Sequence, residues 1–172
     1  MRLKNKTAVI SGATGGIGEA TSKLFSAEGA NVVMVGRDEE KLNTLYNSFD
    51  DKSKLSTYVA DSNNEDSIKD CINFAKDKYG SIDVVFANAG TEGEVKPLTE
   101  YTKDEFNNVL SVNVIGVWLY MKHALPIMQN QKNGSFILEL YFLLPHQYGT
   151  FYFICSHLAI PQLCRGTFTA KI

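Results

Sequence analysis

Apolar and polar residues follow two different periods along the first 135 residues of the chain. Short runs of apolar and β-branched residues are typical of buried strands. Apolar residues spaced three and four apart are typical of a helix that packs one face on a core. The runs at residues 7–11, 31–35, 55–59 and 82–87 therefore predict strands. Helical spacing occurs between them, as Ile17, Ala20, Leu24 and Phe25 and as Ile68, Ile72, Ala75 and Tyr79.

Capping residues indicate where the helices begin and end. Gly29 and Gly80 follow the last periodic residues of two helices, where a left-handed glycine commonly ends a helix. Polar residues with acceptor side chains are expected at helix starts: Asp38, a Ser62-x-x-Glu65 capping box and a Thr102-x-x-Glu105 capping box. The last helix is expected to run through Asn113 towards Pro126.

The strands and helices alternate, and this order predicts the fold class. Alternation at this spacing is typical of βαβ units, in which parallel strands are joined by right-handed crossovers. The sequence therefore predicts an α/β protein with a doubly wound parallel sheet that has helices on both faces. Such sheets bind ligands beyond the carboxyl ends of their strands. Functional residues are expected after Ile10, Val35, Val59 and Ala87.

A glycine-rich segment joins the first strand to the first helix, with the sequence Ser11-Gly12-Ala13-Thr14-Gly15-Gly16-Ile17-Gly18. Glycines allow a tight turn, close approach of a pyrophosphate to the backbone, and close packing of helix on strand. The start of the helix also offers unpaired N–H groups and a partial positive charge to phosphates. The segment therefore predicts a dinucleotide site; the alternative is a glycine-rich turn that serves packing alone.

Three motifs in order resemble the short-chain dehydrogenase/reductase family: Gly12-x-x-x-Gly16-x-Gly18, then Asn88-Ala89-Gly90, then Asn113 within Val-Asn-Val-Ile-Gly. The resemblance covers roughly residues 3–137. It implies a Rossmann-like fold that is truncated after the fifth strand. It also implies a nicotinamide dinucleotide cofactor and hydride transfer between the nicotinamide and a carbonyl or alcohol carbon of a small substrate.

The resemblance also implies roles for individual residues. The phosphates would contact Gly12, Thr14, Gly16, Ile17 and Gly18. The adenine would lie at Asp61 and Ser62, and the adenosine ribose at Asn88, Ala89 and Gly90. As the catalytic candidate, Asn113 would hold a water in the family's proton relay. Taken singly, Asp61 could be only a helix cap, and Asn113 only a polar residue tolerated within a helix.

The end of the second strand bears on the choice between NAD and NADP. Gly36 occupies the position where relatives that prefer NAD carry Asp, and Arg37 follows it. A hydrogen bond between Arg37 and a 2′-phosphate would contribute about 1.5–3 kcal/mol. Asp38 would repel that phosphate, and Arg37 could instead be a solvated loop residue. The sequence favours NADP, with NAD as the alternative.

The chain departs from the family beyond about residue 137. The family's proton transfer needs a serine and a Tyr-x-x-x-Lys, and none of the 8 tyrosines has Lys four positions later. Residues 136–172 contain only three charged residues, Glu139, Arg165 and Lys171. We therefore divide the chain into a dinucleotide-binding domain at 1–137 and an atypical apolar tail at 138–172. A frameshift or aberrant splice would explain the tail; the alternative is a natural variant with a short hydrophobic end. A chain without the proton-transfer pair could be a non-catalytic nucleotide-binding fragment or pseudoenzyme.

Composition excludes several other classes. A chain of 172 residues that is 44% hydrophobic, with a net charge of −2, suits one globular domain and gives no basic surface for nucleic acid. Its 3 cysteines cannot form an even disulfide framework, so a cytoplasmic location is expected. The sequence shows no secretory leader and no apolar run long enough for a membrane span, and no metal site is expected.

The resemblance also implies a possible homo-oligomer, because relatives pair through the helix that carries Asn113 and the next helix.

Overall fold

The computed structural model describes residues 1–138, so all of the predicted tail at 138–172 except its first residue lies outside the described residues. The described part holds five strands and the helices that connect them. In chain order these are β1 (Thr7–Ser11), α1 (Gly16–Ala27), β2 (Asn31–Gly36), α2 (Glu39–Asn47), β3 (Leu55–Val59), α3 (Glu65–Tyr79), β4 (Val84–Ala87), α4 (Lys103–Leu110), α5 (Val117–Gln131) and β5 (Ser135–Leu138). A short 3₁₀ turn at Leu98–Glu100 precedes α4, and a π-helical turn at Ser111–Gly116 joins α4 to α5.

The five strands form one parallel sheet in the order β3-β2-β1-β4-β5. The register places Val9 of β1 beside Val33 of β2 and Val85 of β4. Because all strands point the same way, their carboxyl ends meet at one edge of the sheet. This architecture confirms the predicted α/β, doubly wound, Rossmann-like fold.

Alternate residues of the strands pack against two different layers of helices. Val9, Val33 and Val85 belong to one buried cluster, which also contains the inward faces of α3 and α5. Ile10 and Met34 belong to a second cluster, on the other face, with side chains from α2. A period of two along buried strands places successive side chains on opposite faces, so both faces of the sheet need apolar cover.

Four of the five expected helix ends are found, and one is corrected. Gly29 follows the C-cap of α1 in the left-handed region, with φ of 87°. Asp38 caps α2, Thr102 and Glu105 form a full capping box at α4, and Gly80 ends α3 with φ of 78°. The Ser62-x-x-Glu65 box is wrong, because α3 is capped by Asn64, whose side chain accepts the Ser67 N–H.

The chain makes a further turn at the start of α3 for a local reason. The carboxylate of Asp61 accepts the N–H of Asn63 at 2.9 Å, and the Asp61 carbonyl accepts the N–H of Asn64 at 3.0 Å. These bonds delay the helix by two residues beyond Ser62. The side chain of Glu65 points instead to α5, where it pairs with Lys122 at 2.6 Å.

The helix that contains Asn113 continues past Pro126, although a proline commonly ends or kinks a helix. It runs from α4 through the π turn into α5, and Pro126 lies inside α5. Within residues 1–138, none of the helices is both long and apolar enough to span a membrane.

Candidate functional site

A cleft of about 690 Å³ opens at the edge of the sheet where the strands end. Its walls come from the ends of β1 and β2, the segments after β3 and β4, and the helix between α4 and α5. The sequence-predicted residues that line it are Gly12, Thr14, Gly16, Ile17, Arg37, Asp61, Ser62, Asn88, Ala89 and Gly90. The other two predicted residues, Gly18 and Asn113, are buried and do not line the cleft.

The glycine loop between β1 and α1 is tightly packed at both of its ends. Gly12 has φ of 62°, and a Cβ placed there would lie 2.9 Å from the Cα of Ala89. A Cβ at Gly18 would collide with the carbonyl oxygen of Gly12 and would lie 2.7 Å from the Cα of Ala13. A Cβ at Gly16, in contrast, would meet no heavy atom within 4 Å. Two of these glycines therefore serve close packing, and Gly16 keeps the mouth of the cleft open.

The start of α1 faces this open space. The N–H of Glu19 donates to the Gly15 carbonyl at 2.8 Å, which makes Gly15 the N-cap. The N–H groups that precede Glu19 in the first turn have no acceptor within the helix. Together with the positive end of the helix dipole, they can hold an anionic group at the cleft.

Ser11 joins the glycine loop to the segment after β4, a contact that sequence reasoning did not assign. Its hydroxyl oxygen accepts the backbone N–H groups of Asn88 and Ala89, each at 3.0 Å. The side-chain amide of Asn88 donates to the carbonyls of Ser11 at 3.2 Å and Gly12 at 3.3 Å. These four bonds fix two walls of the cleft relative to each other. The residues that they join are far apart in the sequence, so no local sequence pattern indicates the contact.

The segment after β3 forms another wall. A Cβ at Gly116, in the π turn, would lie 2.9 Å from both the Cβ and the carbonyl oxygen of Ser62. The absence of a side chain at Gly116 therefore lets the helix approach the segment that carries Asp61 and Ser62. One carboxylate oxygen of Asp61 is used by Asn63, which supports the reading of Asp61 as a local turn former as well as a cleft residue.

The end of β2 carries charged groups at the cleft. A Cβ at Gly36 would lie at ordinary contact distance, 3.5–3.6 Å, from side-chain atoms of Leu42 and Thr14. Arg37 and Asp38 follow, and Lys41 of α2 also lines the cleft. Sequence reasoning missed Lys41, although its place three residues after a helix cap was a usable signal because the first turn of α2 had to lie at this edge.

Asn113 is 2% exposed and lies in the π turn. Its side-chain oxygen accepts the N–H of Thr91 at 2.8 Å, and its amide nitrogen donates to the Thr91 carbonyl at 2.9 Å. The pair of bonds holds the segment after β4 against the helix. Irregular π turns are common where a helix contributes to a functional site.

Residues 91–100 are tied to α4 by a small polar cluster. Lys96 pairs with Glu105 at 2.6 Å, and Glu105 also accepts the backbone N–H of Thr102 at 2.8 Å. The hydrogen bond from Lys96 and the bonds from Thr102 lower the pKa of Glu105 from 4.5 to about 2. Glu105 therefore stays ionised in neutral and mildly acidic solution, where it caps α4 and pairs with Lys96.

Tyr120 of α5 lines the inner wall of the cleft and is 2% exposed. Burial, and to a smaller extent the nearby Cys71, raises the pKa of the Tyr120 phenol well above 10. A tyrosine that transfers protons near neutral pH needs its pKa lowered, so Tyr120 is a poor replacement for the family's tyrosine. Asn108 and Val112 line the same wall and were also missed, because the helix face towards the cleft has no simple sequence pattern.

Among residues 1–138, no three His, Cys, Asp or Glu side chains are grouped as metal ligands.

The parallel sheet, the glycine loop and the cleft at the carboxyl edge define a Rossmann-like α/β protein. Residues 6–138 match the family model described as short chain dehydrogenase. The chain therefore belongs to the short-chain dehydrogenase family.

Curated relatives extend this likeness. A secoisolariciresinol dehydrogenase from Forsythia intermedia is 38% identical over 138 residues, which are 79% of this chain and 49% of that protein. A mitochondrial borneol dehydrogenase from Lavandula x intermedia is 36% identical over 169 residues, 96% of this chain and 63% of that protein, so its alignment continues beyond residue 138. The chain spans about half the length of the first curated relatives it matches.

Solved structures show the same fold. The NAD⁺-bound xylitol dehydrogenase superposes with a TM-score of 0.76 at 28% identity, over 80% of this chain and 54% of that one. A metagenomic short-chain oxidoreductase in complex with NADP superposes with a TM-score of 0.75 at 27% identity, over 80% of this chain and 63% of that one. Solved structures with similar TM-scores thus include one with NAD⁺ bound and one with NADP bound.

Proposed function

We propose that this chain forms the cofactor-binding half of an NAD(P)-dependent oxidoreductase that moves a hydride between nicotinamide and a carbonyl or alcohol carbon. The observation that carries the proposal is the open space at Gly16, directly ahead of the start of α1, in a cleft that tight packing at Gly12 and Gly18 shapes. The solved relatives bound to NAD⁺ and NADP support the choice of ligand.

The cleft residues fit a dinucleotide. We assign the phosphates to Gly12, Thr14, Gly16, Ile17 and the first turn of α1. Gly18 would support the glycine loop, because α1 packs closely on the loop at this residue. We assign the adenine to Asp61 and Ser62 and its ribose to Asn88, Ala89 and Gly90. When bound, the nicotinamide supplies or accepts the hydride. For Asn113 we propose the role of holding a relay water, in a segment that its bonds to Thr91 keep in place.

NADP is the proposed cofactor. Gly36 leaves no carboxylate for the ribose hydroxyls, and Arg37 lines the cleft beside it. We expect the full chain to bind NADPH about tenfold more tightly than NADH, which corresponds to one charge-assisted hydrogen bond. A fluorescence titration of the full chain measures both affinities, and equal or tighter binding of NADH would contradict the preference.

The same sample tests catalysis. Because no tyrosine has Lys four residues later, we expect no NADPH oxidation above background with a panel of ketones, although NADPH binds. Binding without turnover supports the alternative function, a non-catalytic nucleotide-binding fragment or pseudoenzyme. Turnover would show that a group outside this pattern transfers the proton.

We also propose that the chain pairs with a second copy of itself through α4, the π turn and α5. Phe106, Ile115 and Trp118 are large apolar residues on this helix and are between 43% and 53% exposed. Such side chains gain free energy when a partner covers them. We expect sedimentation velocity to show a dimer that Trp118→Lys weakens, while Leu24→Lys, at an equally exposed position on α1, leaves it unchanged. A monomer at all concentrations would overturn this proposal.

A further inference from the structure

The turn between α5 and β5 contains the only Asn-Gly pair in the sequence, Asn133-Gly134. The helix ends at Lys132, whose φ of 56° is left-handed, and β5 starts at Ser135. Asn133 is exposed, so water reaches its side chain. The Gly134 N–H donates to no acceptor among residues 1–138. The turn therefore places an exposed carboxamide next to a backbone N–H that no hydrogen bond within the described residues holds.

Packing requires a glycine at position 134. A Cβ on Gly134 would overlap the side chain of Met128, which is fully buried in the cluster that contains α3 and α5. Glycine also has no side chain that would hinder approach to its own backbone nitrogen. The fold therefore keeps, directly after Asn133, the residue type that least hinders an attack by the following backbone nitrogen.

Asparagine is a thermolabile residue, and its breakdown at this pair needs only water. The backbone nitrogen of Gly134 attacks the Cγ atom of Asn133, and the new C–N bond closes a succinimide ring. The Cγ–Nδ2 bond breaks, the Gly134 proton passes to the leaving group, and ammonia departs. Water then adds to one of the two ring carbonyls and cleaves the bond from that carbon to nitrogen. The product is aspartate or isoaspartate at position 133, with no oxidation or reduction.

The product would face a carboxylate. The side-chain amide of Asn133 donates to an oxygen of Asp83 at 2.9 Å, and the same oxygen accepts a hydrogen bond from the Lys6 ammonium at 2.8 Å. Asp83 is 8% exposed and lies just before β4. A carboxylate in place of the amide has no N–H to donate, and like charges this close repel each other. Loss of the amide therefore changes an attraction between the turn and β4 into a repulsion.

We propose that Asn133 is a site of spontaneous deamidation, and that its product loosens the contact between the α5–β5 turn and the start of β4. The juxtaposition of an exposed Asn-Gly pair with the buried Asp83 carboxylate carries the inference. It does not depend on the proposed nucleotide site, which lies at the opposite edge of the sheet. The modification is covalent and converts a neutral side chain into an anion.

The first experiment follows the reaction in the full, folded chain. Incubation in mildly alkaline buffer, which favours attack by the backbone nitrogen, is followed by peptide mapping with mass spectrometry. We expect the amide of Asn133 to be lost faster than that of Asn63, which is also exposed in a turn but is followed by Asn64. A mixture of aspartate and isoaspartate would identify the succinimide route. An Asn133 amide that survives as long as the Asn63 amide would overturn the site.

The matched variant is Asn133→Gln, which keeps a carboxamide at the same position. Its longer side chain would have to close a larger ring, so we expect its amide to survive the same incubation. Equal loss of the amide in the wild type and in this variant would exclude the attack by Gly134 and overturn the proposal.

A second experiment measures the consequence with defined variants. Asn133→Asp reproduces one product, and Asn133→Ala removes the same hydrogen bond without adding a charge. We expect urea to unfold Asn133→Asp at a lower midpoint than Asn133→Ala at neutral pH. In an Asp83→Asn background, which removes the opposing charge, this difference should vanish or reverse. Equal midpoints in the wild-type background, or a difference that Asp83→Asn leaves unchanged, would overturn the proposed repulsion.

Discussion

Replacing Gly18 by alanine is expected to displace the glycine loop and to abolish tight nucleotide binding. Gly18 is buried, and its new Cβ would collide with the Gly12 carbonyl and lie 2.7 Å from the Cα of Ala13. Both neighbours are backbone atoms, so no side-chain rotation relieves the contact, and either α1 or the loop must shift. Such overpacking costs about 1–3 kcal/mol of unfolding free energy. Urea denaturation measures this loss, and a parallel NADPH titration should show affinity reduced by about tenfold or more, because the start of α1 moves away from the phosphates.

Gly16→Ala is the matched control, since it makes the same change two residues earlier. Its Cβ would meet no heavy atom within 4 Å, so the unfolding free energy should stay the same or rise slightly with helix propensity. Nucleotide affinity should nevertheless fall, because the methyl group occupies the space that we assign to the phosphates. A Gly18→Ala protein with wild-type stability would refute the close packing of the loop. Undiminished NADPH binding by Gly16→Ala would refute the placement of the phosphates.

Local signals in the sequence were enough to predict most of the fold. The cap at Asp38, the box at Thr102 and the left-handed Gly80 depend on groups within four residues of each other, so the local sequence contains the full cause. Parallel strands that are buried on both faces are apolar throughout, which makes them easy to find. The residues of the candidate site could be selected because most of them come directly after those strands.

Periodicity was a poor guide to the buried face of α1. Ile17 and Leu24, two of the apolar residues that predicted this helix, are 48% and 52% exposed, while Gly18 and Ser22 are buried. The helix approaches the glycine loop so closely that only small residues fit on that side, and Ser22 satisfies its hydroxyl by donating to the Gly18 carbonyl at 2.7 Å. Hydrophobicity therefore marks the helix correctly and misplaces its packed face.

Contacts between distant segments left no sequence signal at all. Glu65, the last residue of the predicted capping box, pairs instead with Lys122 of α5, 57 positions away. The bonds of Asn113 to Thr91 join residues 22 positions apart. Geometry of this kind follows from the packed fold, which is why the position of Asn113 relative to the cleft required the structure.

The edge of the sheet opposite the cleft contains a buried carboxylate whose removal should be the most destabilising polar change in the described residues. Asp83 is 8% exposed and sits just before β4. Its oxygens accept hydrogen bonds from the Lys6 ammonium, the Thr7 N–H, the Ser81 hydroxyl and the Asn133 amide, at 2.8–3.0 Å. These donors belong to segments that start β1, β4 and β5, so one side chain joins three neighbouring strands.

Asp83→Asn should lower the unfolding free energy by about 1–3 kcal/mol. The asparagine keeps the shape but has one acceptor oxygen, and its NH₂ group would face donors, so at least one buried donor loses its acceptor. Urea denaturation at neutral pH measures the loss. Asp77→Asn, an exposed carboxylate near the end of α3, is the matched control and should change stability by less than about 0.5 kcal/mol.

The pH dependence of this difference tests whether the charge of Asp83 is what stabilises the fold. Burial raises the pKa of Asp83, but the hydrogen bonds from Lys6, Thr7 and Ser81 outweigh it and hold the pKa below 3.8. Because the pKa is lower in the folded protein than in the unfolded chain, the stabilisation is complete above the unfolded pKa of 3.8 and is lost as pH falls through the folded value. The gap in unfolding free energy between wild type and Asp83→Asn should therefore be constant from about pH 7 to pH 5 and shrink below about pH 4. A gap that persists unchanged into that acidic range would show that the shape of the side chain, and not its charge, joins the strands.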